Sequence, residues 1–418
     1  MSKIYDCGNY KIHTIKLNKF KTTTMEIIFR KKADKKQITE FNLLARLLSF
    51  TSKEYQRERD ITIELERLYN AYEVSFSNIA GNTQKFSIVI DFLNPKYCEE
   101  GYLEDVISLP FELLLNPKIE DNHFNERDFN INKNRLMACI ESEKESPYSY
   151  SFTRSLVEAD SNNPASYDNN GYLEDLEKIT PETLVDTYNR LFTDFTCDIY
   201  IAGNVDMGKV VKIIKSIFKK EKGNKVDYQI YFESEPRKKC KEVIETGKYE
   251  QDMFVMVYNM VDFSDRERKY ILPLFNNIFG GNELTSKLYR YLREENSLCY
   301  NVSSLINRFA NLFLIRAGIN ASNKDLCIEL VNKALTEMKN GKFSEEDLLN
   351  AKKTRINEIL MADNSTNGYI SREILKDLDN LLPKQEVISN YKSVTKKEVE
   401  KVADKLILNT VYLLKGEE

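Results

Sequence analysis

The chain has 418 residues, of which 42% are hydrophobic and 30% charged, and 61 basic against 65 acidic residues leave a formal net charge of -4. That length exceeds what one hydrophobic core normally serves, so two domains are expected, and the composition excludes wholesale disorder. No run of like charge is long enough for a nucleic-acid tract or a polybasic membrane anchor.

The opening MSKIYDCGNYKIH has no apolar segment of the secretory type, and no apolar run approaches the roughly twenty residues of a membrane span. Seven cysteines (Cys7, Cys98, Cys139, Cys197, Cys240, Cys299, Cys327) are scattered and never form a CxxC pair. An odd, unpaired set points to reduced thiols and a cytoplasmic location. Heavy use of Lys, Asn, Ile and Tyr points to an AT-rich, bacterial coding sequence.

In chain order, TTTMEIIFRKKADKKQITEFNLLARLLSF predicts a strand over Met25–Phe29, a polar turn, and a helix with Leu43, Leu44, Leu47 and Leu48 at helical spacing. A helix and a hairpin, Val74 to Asp91, come next. Thr180 is a predicted N-cap with Pro181 at the first helical position, and the strand Cys197–Ala202 follows. The charged stretch FKKEKGNKVDYQIYFESEPRKKCKEVIE, with Gly223 and Pro236, has linker composition.

Beyond it the order repeats. Met253–Tyr258 reads as a strand, and Ile271, Leu274, Phe275 and Ile278 mark a helix. SKLYRYLREENSLCYNVSSLINRFANLFLIRAGIN reads as helix, strand, turn and strand. Thr395 and Glu398 form a capping box before the strand Thr410–Leu414. Three matched segments in the same order indicate duplication. The expected class is α+β, with two homologous domains, each a mainly antiparallel sheet covered by helices. Residues 1–219 form the first domain, 220–245 a charged linker and 246–418 the second.

Lone reactive side chains carry little here. His123 in DNHFNERD reads as a loop or cap residue and His13 as a structural strand residue. Glu141, Glu143 and Glu145 read as a solvated helix end, and Cys299 as a small buried strand residue. GGNE, Gly280 to Glu283, lacks phosphate-loop spacing and reads as a tight turn.

The segments Phe279-Gly280-Gly281, Ser286, Leu288, Leu292, Arg293, Glu294 and Tyr300 carry a wider resemblance, together with FNERDFN, IAGNVD and FSEEDLLNAKKTRINEIL. In that order they resemble the insulinase/pitrilysin-like (inverzincin) metallopeptidases, of the half-length, two-domain bacterial type. The resemblance implies that each chain forms half of a clamshell. Active members carry HxxEH on the first long helix: two histidines four apart bind zinc and the glutamate polarises water. The corresponding positions here are Asn42, Ala45 and Arg46, and the third-ligand position aligns with Lys133. The chain has only two histidines, His13 and His123, and neither is in such a motif. The zinc site is therefore expected to be degenerate and cation-lined, with no cofactor in this chain.

The family also uses an Arg/Tyr pair from its second half as transition-state donors, and Arg293 and Tyr300 match it. A guanidinium fork and a phenol suit a peptide carbonyl that is becoming an oxyanion. The resemblance thus implies a zinc-free subunit of a heterodimeric peptidase. A homologous HxxEH-bearing subunit would bring the zinc, and peptide or unfolded polypeptide would be the substrate. Two alternatives remain open at this point: a structural or peptide-binding scaffold of the same fold, and a homodimer with no peptidase role.

Overall fold

In the computed structural model, which describes residues 2–219, 229–281 and 284–417, the secondary structure is organised around two large sheets. The first half supplies β1 (Ser2–Asp6), β2 (Lys11–Lys16), β3 (Thr22–Lys32), β4 (Tyr72–Ala80) and β5 (Thr83–Leu93). After a small ribbon of β6 (Ile119–Glu120) and β7 (His123–Phe124) comes β8 (Thr196–Gly203). The large sheet has the order β1-β2-β8-β3-β5-β4. β3 is interior, paired on both sides, and only its two end residues are exposed. Met25, Ile27, Ile28 and Phe29 fill both of its faces, and Glu26, Arg30 and Lys31 are buried with them. Ile27 pairs with Ile88 on one side and Ile199 on the other. β2 runs parallel to β8, and the remaining pairings are antiparallel.

The second sheet contains β9 (Lys241–Gly247), β10 (Met253–Met260), β11 (Cys299–Asn307), β12 (Leu312–Ile319) and β13 (Leu406–Gly416), in the order β11-β12-β10-β13-β9. β9 is parallel to β13 and the other pairs are antiparallel. The two sheets follow one pairing plan. β2, β8, β3, β5 and β4 correspond to β9, β13, β10, β12 and β11, and β1 is an addition to the first. The duplicated, mainly antiparallel α+β architecture is therefore present in the hydrogen bonding itself.

The compact units do not follow the linear halves. One unit is Met1–Ile140, Asp168–Tyr228 and Ala362–Asn380; the other is Glu141–Tyr167, Gln229–Met361 and Leu381–Glu418. In each unit one sheet face carries the main helical core, and the opposite face is covered by a helix from the other half of the sequence. In the first, Ile370 of the helix Thr366–Asp379 packs on Ile15, Ile28, Tyr200 and Ala202. In the second, Leu156 and Ala159 of the helix Pro147–Ala159 pack on Met253, Val255, Val257, Tyr412 and Leu414.

The boundaries 1–219, 220–245 and 246–418 are corrected accordingly. Residues 241–245 belong to β9, not to a linker, and residues 220–228 lie outside the described residues. β9 escaped recognition because it is an edge strand whose residues alternate between exposed and half-buried, so KEVIETG reads as charged coil. No described helix is long and apolar enough to cross a membrane.

Candidate active site

The first long helix, Ile38–Leu48, is held on the sheet by Phe41, Leu44, Leu47 and Leu48. Of the positions aligned with HxxEH, Asn42 spends its amide on the carbonyls of Ile38, at 3.0 Å, and Asn169, at 2.7 Å. Ala45 is buried and brings no polar side-chain atom. The Arg46 guanidinium donates to Cys139 Sγ at 3.4 Å, on the helix Glu126–Glu145. This trio contains no carboxylate to polarise water and no imidazole to hold a metal. No group of three or more His, Cys, Asp or Glu among the described residues is arranged for a metal ion.

Lys133 requires a correction. Its ammonium is held by the carbonyls of Ile179, at 2.9 Å, and Glu177, at 3.3 Å, and it does not share the Arg46 contact. Lys133 and Cys139 are six residues apart, so they sit roughly 9 Å apart along the helix and about 120° apart around it. The residue that meets Arg46 is Cys139.

Beside the end of the first helix lies a group that sequence reasoning missed. Glu73, on the edge strand β4, accepts from Ser49 Oγ at 2.9 Å and Ser75 Oγ at 3.0 Å. Burial pushes its carboxyl up to about 7 against the opposing pull of the two hydroxyls. Its only sequence signal was a carboxylate on the side of β4 shared by Ser75 and Ser77.

In the second unit Leu288 and Leu292 bury one face of the segment that carries Arg293. The segment widens into a π-helical turn, Tyr289–Glu294, in which Glu295 N–H donates to Arg290 O at 2.9 Å. Gly280 lets this segment and β11 approach closely. A Cβ there would lie 2.4 Å from Leu288 Cδ1 and 2.7 Å from Ser304 Oγ. The Gly280 carbonyl accepts from Ser304 N–H at 2.5 Å, so the glycine serves close packing.

The register of β11 against β12 shifts between Cys299 and Val302, and this bulge decides where the side chains go. Cys299 stays inside, where burial pushes its thiol up to about 11, while Tyr300 is 72% exposed. The Arg293 guanidinium lies 4.7 Å from the Tyr300 ring centre and 5.0 Å from that of Tyr289. Among the described residues it makes no ion pair with a carboxylate. Arg293 and Tyr300 are thus neighbours, one charged and one neutral donor on the same surface.

The histidines lie apart from both places. His13 Nε2 is 2.9 Å from Asp198 Oδ1, its ring stacks on Tyr200 at 4.3 Å, and Arg30 binds the other Asp198 oxygen. Burial raises the Asp198 carboxyl, but His13 and Arg30 outweigh it and hold the group below the usual range. His123 Nδ1 faces the Asp121 carbonyl at 3.3 Å. Glu141 and Glu145 are exposed at a helix end.

Residues 178–355 match the family described as "Peptidase M16 inactive domain". A Bacillus subtilis (strain 168) protein named "Probable inactive metalloprotease YmfF" is 27% identical over 98% of this chain and 97% of its own length. A conserved protein from Enterococcus faecalis V583 superposes with a TM-score of 0.93 at 24% identity, covering 100% of this chain and 99% of that one. A structure described as the peptidase M16 inactive domain from Pseudomonas fluorescens gives 0.80 at 14%, covering 100% and 98%. These two structural likenesses concern the fold.

Proposed function

From the likeness to M16-type (insulinase-type) peptidase homologues and the lack of HxxEH, we propose that this chain is the zinc-free subunit of a two-chain peptidase. The observation that carries the reading is the pairing of Arg293 with Tyr300. The guanidinium is not committed to any described carboxylate, and the phenol is turned outward by a bulge. In this reading the zinc belongs to a homologous HxxEH-bearing partner, and the substrate is a peptide or an unfolded polypeptide segment. Arg293 supplies forked N–H donors and Tyr300 one O–H donor to the scissile carbonyl oxygen as it gains charge. The reading places the assembly in the cytoplasm.

Affinity purification from the native cell tests it. The expected co-purifying chain is a homologue with HxxEH, zinc resides in that chain, and peptide cleavage requires both. Recovery of this chain alone, with chelator-sensitive peptidase activity of its own, would overturn the proposal. The second reading, a peptide-binding scaffold, draws on β4 and β11, which are edge strands among the described residues and can accept an added strand.

A further inference from the structure

A cavity of about 420 Å³ in the second unit is lined by two guanidiniums, Arg293 and Arg316, and by no Asp or Glu among the described residues. Each guanidinium is held by aromatic faces. Arg293 lies over Tyr289 and Tyr300, and Arg316 lies 3.9 Å from the Tyr148 ring centre and 5.6 Å from that of Phe152. Stacking of this kind fixes the plane of a guanidinium and leaves its in-plane N–H groups available. The hydrogen bond recorded for Arg316 runs from Nε to Ser303 Oγ at 3.4 Å, so its two terminal nitrogens are uncommitted among the described residues. Burial lowers the Arg316 pKa, and among the described residues no carboxylate pairs with the guanidinium.

We infer that this cavity is a carboxylate-binding subsite for a peptide. Two stacked forks, with no carboxylate partner among the described residues, suit a planar anion with two oxygens. Asn301, Val302 and Ser303 of the edge strand β11 line the same cavity, so a peptide laid along that edge reaches it with its backbone. The carboxylate is either the C-terminus of the peptide or an Asp or Glu side chain. The subsite shares Arg293 with the proposed donor pair, and in that respect it rests on the function proposed above. Arg316 belongs to the subsite alone.

The test is fluorescence anisotropy on the full chain with three hexapeptides carrying a neutral dye and otherwise neutral side chains. One ends in a free carboxylate, one is amidated, and one is amidated with a central glutamate. At least one carboxylate peptide is expected to bind about tenfold tighter than the plain amide. The tighter of the two identifies the carboxylate's source. Arg316→Gln should abolish the preference while thermal melting stays near wild type, and Arg316→Lys, which keeps the charge but not the fork, should restore part of it. Equal binding of all three peptides, or a preference that survives Arg316→Gln, overturns the subsite. Arg316→Gln leaves Tyr300 untouched, so carboxylate preference in this chain and turnover in the complex can fail separately.

Discussion

Asp198 joins Arg30 and His13 inside the first unit, and its chemistry makes stability depend on acid. Its folded carboxyl sits below the ordinary value of about 3.9. The stabilisation is therefore present above that value and lost as pH falls through the lower folded one. Melts from pH 6 to 2.5 should show this loss, and Asp198→Asn should lack it while being less stable by roughly 3 kcal/mol near neutrality. An unchanged neutral melt would contradict the buried cluster. Glu73 has the opposite sign. Its carboxyl is raised to about 7, so its contribution is present below the unfolded value of about 4.3 and lost as pH rises through 7. Glu73→Gln should stabilise the protein at pH 8 and change little near pH 4; a destabilised melt at pH 8 would contradict the assignment. At this scale the proximity of Arg293 and Tyr300 was legible, because a short motif spans the helix, the bulge and the strand. Lys133 was not placed well. Its helix is largely polar, but the buried residues Phe129, Asn132, Leu136 and Ile140 mark the inward stripe. Lys133 and Cys139 flank that stripe on opposite sides, so three- and four-residue spacing alone could not tell them apart.

Among the elements, Gly280 is where the segment carrying Arg293 and strand β11 come close together. Gly280→Ala forces a Cβ into Leu288 and Ser304 and should cost roughly 1–3 kcal/mol by displacing side chains. A full-strength denaturant midpoint would show that the approach is less tight than described. Ile370→Ala removes the side chain that anchors the helix Thr366–Asp379 on the first sheet and should cost about 2–5 kcal/mol. Most elements were legible, because strands with apolar runs and helices with Thr180 or Thr395 caps announce themselves; both caps accept the expected backbone N–H. The exchanged helices were not. An apolar face such as that of Leu156 and Ala159 says that something covers it, but not which sheet. β9 was hidden by its charged, one-sided pattern.

For the whole molecule, duplication was readable because each half repeats its elements in one order, and the matching sheet plans follow from it. The purified chain is expected to hold no stoichiometric catalytic zinc, since Asn42, Ala45, Arg46 and Cys139 provide no ligand set resembling two histidines and a carboxylate. Metal analysis giving about one tightly held zinc per chain would contradict this. Peptides should bind the isolated chain more weakly than micromolar, and tighter binding would promote the scaffold reading.

The central claim is that this chain donates hydrogen bonds to chemistry that occurs on another subunit's metal. Single-turnover peptide cleavage by the reconstituted complex tests it most directly, using Arg293→Ala and Tyr300→Phe. Tyr300→Phe deletes one exposed hydroxyl and should leave packing intact, so a change in its rate is chemical. The expected result is normal assembly with a rate about a hundred- to a thousandfold lower for each variant. Complexes that assemble and cleave at near-native rates with both substitutions would contradict the donor role.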